Sequence, residues 1–234
     1  MKQTAIHNMS KESRTTGETR GNAGRARKPQ AERSAETQSK VISAAIACLH
    51  RYGYSATTVT MVADVAKVSR GAMTHQYPTK TDVMLAVVDA VFEDDSRCYR
   101  QAVEKKSPTQ MLQDLPATMW DIMSRPSGTA VMEIMLASRS DEELADKLRT
   151  IQHSIDVRAH DWVIERLEAA GLQDHPDGES IHRVFVAAIR GLLLEALFKR
   201  DRTEIEKSVK VLGDMLTLLY PTVSAKTPAR KKRA

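Results

Sequence analysis

Between Thr57 and Lys80 the chain reads TTVTMVADVAKVSRGAMTHQYPTK, and few folds can accommodate that run. Val59, Val62, Ala63 and Ala66 recur at i, i+3, i+4 and i+7, which gathers them on one side of a short helix as a core face. Thr58 stands just before that helix, where its hydroxyl can cap a free amide. Lys67, Val68 and Ser69 form a brief connection, and Ser69 is placed to cap a second helix. In that helix Met73 and Tyr77, four apart, anchor inward and leave Arg70, Gly71, Ala72, Thr74, His75 and Gln76 on or near the surface. These are unsuitable as core residues but suit the groove of a nucleic-acid duplex. Arginine can fork onto guanine O6 and N7, glycine and alanine let the backbone approach, and threonine or alanine can touch a thymine methyl.

In this stretch the chain resembles the TetR (tetracycline-repressor) family of bacterial one-component regulators, whose DNA-binding domain follows a pattern close to T-T-V-x-x-I-A-x-x-A-G-V-S-x-G-x-x-Y-x-H-F-x-x-K-x-x-L. Matching positions are Thr57, Thr58, Val59, Val62 for the Ile, Ala63, Ala66, Val68, Ser69, Gly71, Tyr77 for the Phe, and Lys80. With the preceding helix the resemblance covers roughly residues 38 to 92. It implies that Ser69, Arg70, Gly71, Ala72, Thr74 and His75 lie against bases or the groove, and that Thr58, Gln76 and Lys80 hold phosphates. Against this, Thr58 reads equally as a cap, Gly71 as a packing residue and His75 as a solvated imidazole. Lys67 stands where the family usually has a turn glycine, Thr74 where a tyrosine is common, and Gln76 where an aromatic or histidine is frequent.

The remaining pattern is helical throughout, so the expected fold class is all-α. A basic tail, 1–36, is expected to be disordered, being nearly free of large apolar groups. A first helix from near Thr37, with Val41, Ile42, Ala45, Ile46 and Leu49 on its inner face and Gly53 at its end, completes a DNA-binding head over 37–83. Residues 84–222 form an effector-binding and dimerisation domain, and 223–234 a second basic tail. Thr79 and Asp82 make a capping box opening a long lever helix; Ser107, Pro108 and Gln110 open another, which Pro116 should kink or split. A further helical run holds Ala130 to Leu136, and Ser140 with Glu143 caps the next helix, extending to Gly171. Two strongly apolar helices follow, Ile181 to Phe198 and a last one capped by Thr203 and Glu206.

Charge is distributed unevenly along the 234 residues. Residues 1–37 carry eight Lys/Arg against four Asp/Glu and residues 225–234 carry five against none, so the overall +5 leaves the body at −4. Such arms can release counterions from a phosphate backbone, or serve only to keep the chain soluble. No apolar run approaches eighteen residues and the N-terminus is polar, so no membrane span or secretory signal is expected and the location is expected to be cytoplasmic. Cys48 and Cys98 offer neither a zinc framework nor a disulfide scaffold; Cys98, between Arg97 and Arg100, is a candidate redox thiol if exposed.

No phosphate-cradling loop, nucleophile elbow or H-E-x-x-H is present, so no catalytic residues, cofactor or metal are expected. His153, Asp156 and His160 share a helix face, which suits either a divalent metal or a plain polar surface. Met111, Met119, Trp120, Met123, Met132, Met135 and Trp162 could line a pocket, or be ordinary core. The resemblance implies a small-molecule effector, of unknown identity, somewhere here. It also implies a homodimer through the last two helices, assigned to Phe185, Ala188, Leu192, Leu193, Ala196, Val209, Leu212 and Leu216, and therefore a palindromic double-stranded DNA operator. The expected function is a transcriptional regulator, a repressor released by its effector. Alternatives are a tail-driven, non-specific DNA-binding protein and, further off, a small helical enzyme using the middle pocket.

Overall fold

Side-chain caps set several of the helix boundaries. The computed structural model describes residues 29–169, 171, 177–198 and 201–220, and these form helices α1 (Gln30–Ala56), α2 (Val59–Ala66), α3 (Arg70–Gln76), α4 (Lys80–Val103), α5 (Pro108–Met123), α6 (Pro126–Ala137), α7 (Glu142–Ala169), α8 (Gly178–Ala196) and α9 (Thr203–Leu219). No strand occurs among the described residues. The Thr58 hydroxyl accepts from the Met61 amide at 3.1 Å and the Ser69 hydroxyl from Ala72 at 3.2 Å. Thr79 with Asp82 and Ser107 with Gln110 form complete capping boxes, as their spacing predicts.

The head is built on Val41, Ala45, Leu49, Val62 and Val83, each with no exposed surface. Complete burial of each such leucine or valine is worth about 1.5–3 kcal/mol. That core does not stop at the head. Val87, Val88 and Val91 of α4 carry it on to Ala130 and Ile134 of α6 and Leu144 of α7, so head and body share one apolar cluster. Two further clusters lie between α5, α8 and α9, around Phe185 and Leu216 and around Trp120 and Ile189.

Several boundaries depart from the sequence reading. α1 begins at Gln30, so residues 30–36 are helical, fastened by local pairs such as Arg33 to Gln30 and Lys40 to Glu36 at 2.9 and 2.8 Å. The remaining tail residues, 1–28 and 221–234, lie outside the described residues. Gly53 breaks α1 as expected, its backbone swinging to φ 74°, ψ 175°, but one further helical turn follows to Ala56. α5 runs unbroken through Pro116. Asp141, and not Ser140, opens α7, its Oδ1 accepting from the Leu144 amide at 3.0 Å. At α9 the N-cap is Arg202, with no side-chain cap bond, so the Thr203 and Glu206 pattern does not close; Asp201 accepts from the Thr203 amide at 2.9 Å. α8 ends at Ala196, short of Phe198.

Lys67 occupies the left-handed region at φ 56°, ψ 41°. In that conformation the Val68 amide reaches back to the Ala63 carbonyl at 3.1 Å, closing α2 and aiming α3. The turn that usually takes glycine is therefore made by a lysine, at the steric cost of a Cβ in that region.

Candidate functional site

α3 is held from behind and bare in front. Met73 is 1% exposed and Tyr77 6%, while Arg70, Gly71, Ala72, Thr74 and His75 all face solvent together with the capping Ser69. A Cβ built on Gly71 would meet nothing within 4 Å, which removes packing within the chain as the reason for that glycine. The exposed set holds one full cation, Arg70, and no carboxylate, so nothing on α3 repels a phosphate backbone.

The residues expected on phosphates divide. Thr58 is exposed, and its hydroxyl oxygen already accepts as the α2 cap, leaving the hydroxyl proton to give. Gln76 is half-buried and donates through Nε2 to the Ser34 carbonyl at 3.3 Å, tying α3 to the first turns of α1. Lys80 turns inward instead of outward: its Nζ donates to the Tyr54 carbonyl at 2.7 Å and sits 3.9 Å from the centre of the Tyr54 ring. Burial holds that ammonium below the usual lysine range, with the Asp141 charge opposing the shift.

Lys80 thereby belongs to a joint between head and body that sequence reasoning missed. The Tyr54 hydroxyl donates to Asp141 Oδ2 at 3.1 Å, and the Tyr54 amide donates to Glu133 Oε2 at 2.9 Å. The turn of backbone at Gly53 leaves that amide free of the α1 ladder. Burial, then the hydrogen bond to Asp141, then the Asp141 and Glu143 charges push the Tyr54 phenol up to about 12, so it stays a donor at any physiological pH. Only the break at Gly53 could have signalled this joint in the sequence.

In the body the predicted pocket is largely packing. Met119, Met123 and Met132 pack around Trp120 and Ile189, and Met135 is half-buried on α6. Met111 and Trp162 alone of the seven line a half-open, mostly apolar cavity of about 40 Å³, with Tyr99, Leu112, Leu115, Gly178, Ile181, His182, Leu216 and Tyr220. Tyr99 and Trp162 meet edge to face, centroids 4.6 Å apart. Burial pushes the His182 imidazole below its ordinary value. A polar groove between α5 and α9 takes Trp120 into its wall instead.

Of the eight residues assigned to pairing with a second copy, four are spent on the core of the single chain. Phe185, Leu193, Val209 and Leu216 are at most 5% exposed inside the single chain, and Ala188, Leu192, Ala196 and Leu212 are half-buried. Apolar groups left in solvent include Val184 on α8, Leu197 and Phe198 just past its end, and Val211, Met215, Leu218 and Leu219 on α9. On α9 apolar residues occupy a second, outer face as well, and periodicity alone cannot say which face α5 covers.

Of the other candidates, His153 and Asp156 are exposed, Asp156 accepting from Gln152 at 2.8 Å, and the His160 side chain lies outside the described residues. No cluster of three metal-ligating side chains occurs among the described residues. Cys48 is buried, while Cys98 is half-buried beside Arg125, whose Nη1 is 3.5 Å from its sulfur and also reaches Asp94 at 3.0 Å. No helix among the described residues is long and apolar enough to cross a membrane.

Two family models match the chain: bacterial regulatory proteins of the tetR family over residues 41–87, and a tetracyclin repressor-like C-terminal domain over 109–217. The HTH-type transcriptional regulator CymR of Pseudomonas putida is 30% identical over 187 residues, spanning 77% of this chain and 89% of the relative. The HTH-type transcriptional regulator BetI of Paraburkholderia phymatum is 24% identical over 194 residues, spanning 80% and 95%. Among solved structures, a TetR transcription regulator from Haloarcula marismortui superposes with a TM-score of 0.62 at 20% identity, covering 79% of this chain and 98% of that one. The SmeT–triclosan complex gives 0.58 at 23% identity, covering 78% and 90%. A capped α3 with a bare outward face, the two matched domains and relatives named as regulators agree: this chain belongs to the TetR family and is a transcriptional regulator with a helix-turn-helix DNA-binding domain.

Proposed function

We propose that two copies of this regulator repress transcription in the cytoplasm by gripping a palindromic operator, and that a small molecule entering the body releases them. The observation that carries the DNA contact is the outward face of α3, capped, exposed and free of acid from Ser69 to His75. Arg70 is the base-reading cation, Gly71 and Ala72 permit close approach, and Thr58 and Gln76 are left to the phosphates. With its ammonium under Tyr54, Lys80 instead positions the start of α4 against α1.

The solvent-facing apolar stripe of α8 and α9 supports pairing through a four-helix contact about a two-fold axis. Val211, Met215 and Leu218 fall at i, i+4 and i+7 on α9, and exposed Gly191 on α8 lets a facing helix come close. Two-fold pairing would set two α3 helices on successive major-groove faces, about 34–36 Å apart.

α4 supplies the coupling. It leaves the head directly after α3, and its Tyr99 forms part of the cavity wall. A ligand that displaces Tyr99 moves the far end of the helix whose near end carries the head, and a state with mismatched head spacing binds operator less well. SmeT, a protein of like fold, is known in complex with triclosan. To test this reading, fragments of the source genome are selected on the full-length protein. Preference for one palindrome over random DNA by about 10³ or more supports it, and salt-sensitive binding without preference would replace it with non-specific coating.

A further inference from the structure

We propose that the apolar cavity takes an uncharged, compact aromatic molecule bearing one hydroxyl, its ring among Met111, Leu115 and Trp162 and its hydroxyl on the His182 imidazole. As a statement about regulation this rests on the release mechanism proposed above; as a statement about binding it stands alone. Among the described residues the wall offers aliphatic and aromatic groups and one histidine, and no lysine, arginine, aspartate or glutamate. An ionised ligand would exchange its water shell for a wall in which no described lining residue supplies a counter-charge, and its binding is weakened accordingly. The Asp177 carboxylate, near enough to raise the Tyr220 phenol, adds to the penalty on an anion. His182, kept neutral by burial, presents one N–H and one lone pair, which matches a hydroxyl that both gives and accepts. Tyr99 and Trp162, already edge to face, favour a further ring at the same kind of angle.

At about 40 Å³ the cavity holds water but is small for a six-membered ring, so entry requires a side chain to move. Met111, 6% exposed and unbranched, is the lining group with the most rotamers to offer. Its truncation should enlarge the site in advance.

Calorimetry on the full-length protein with four matched probes tests this: 4-ethylphenol, ethylbenzene, 4-ethylbenzoate and 4-ethylbenzylammonium. The expected result is 4-ethylphenol binding about tenfold or more tighter than the other three, the factor expected of one buried hydrogen bond. His182→Leu, with helix content checked by circular dichroism, should bring 4-ethylphenol down to the ethylbenzene level and leave ethylbenzene unchanged. Met111→Ala should tighten both. Tighter binding of the benzoate or the ammonium, an equal loss of phenol and hydrocarbon in His182→Leu, or no binding even to Met111→Ala would overturn the proposal. Operator release recorded on the same samples separates the two readings. Phenol binding without release upholds the cavity chemistry and removes the release mechanism; benzoate binding with release does the reverse.

Discussion

Replacing Gly53 by alanine should destabilise the protein by about 3 kcal/mol, through two effects that a double-mutant cycle can separate. The first is backbone: φ 74° with ψ 175° is territory that side-chain-bearing residues avoid, at roughly 1–3 kcal/mol. The second is the neighbour: a Cβ there would lie 3.0 Å from Glu133 Oε2, the oxygen that accepts from the Tyr54 amide. A hydrogen bond to a charged acceptor contributes about 1.5–3 kcal/mol, and pushing the carboxylate aside by a few tenths of an ångström forfeits about half of that. Glu133→Ala alone should cost about 2 kcal/mol. In the double variant the carboxylate is already gone, so the total should be about 4 kcal/mol, short of the sum by about 1 kcal/mol. Urea unfolding followed by helix circular dichroism, at fixed protomer concentration because pairing contributes to stability, gives the three values. A Gly53→Ala protein within 0.5 kcal/mol of the parent, or strict additivity, would refute the assigned joint.

Three further outcomes follow from the same geometry. Lys67→Gly should stabilise by about 0.5–1 kcal/mol in the same urea assay, since relief of the left-handed strain exceeds the added freedom of the unfolded chain; a loss of stability would mean that the Lys67 side chain contributes contacts outweighing its strain. Asp95, pushed up to about 6 by burial against the opposing pull of Arg125, holds a proton in the folded state that it lacks in the unfolded state between its ordinary 3.8 and that value. Its contribution to stability is therefore present at low pH and lost as pH rises through about 6, and Asp95→Asn should flatten the stability profile between pH 4 and 6; unchanged slopes would contradict this. Leu218→Asp, at a position 81% exposed, should halve the mass seen in sedimentation with helix content intact, whereas Leu216→Asp, at 1% exposed, should unfold the chain; a Leu218→Asp dimer would move the pairing surface elsewhere.

Where structure follows from neighbours in the chain, the sequence was legible. The Thr58, Ser69, Thr79 and Ser107 caps, the inner faces of α1 and α2 and the bare front of α3 all depend on residues three or four apart, and all formed as read. Even locally, an acid next door could win: Asp141 displaced Ser140 because a carboxylate is at least as good a cap one position nearer the helix. What failed depended on distant packing. Which side of α9 meets α5 has no local signature when both sides carry apolar groups, and the one strongly apolar side of α8 suits either α5 or a second copy, so Phe185 and Leu216 were assigned outward and lie inward. Methionines gathered in the sequence became core, and the cavity drew Tyr99, His182 and Tyr220 from three helices or helix ends that no spacing rule connects. Lys80 matched its position in the family pattern, yet its ammonium found Tyr54 across the head.

The central claim, that α3 reads bases, is tested most directly by fluorescence anisotropy of Arg70→Ala on the selected operator and on a shuffled duplex of equal length. Loss of one bidentate base contact should weaken operator binding by about 1–3 kcal/mol, roughly five- to 150-fold, and leave shuffled DNA nearly unchanged. Equal weakening on both duplexes, or none on either, would contradict it.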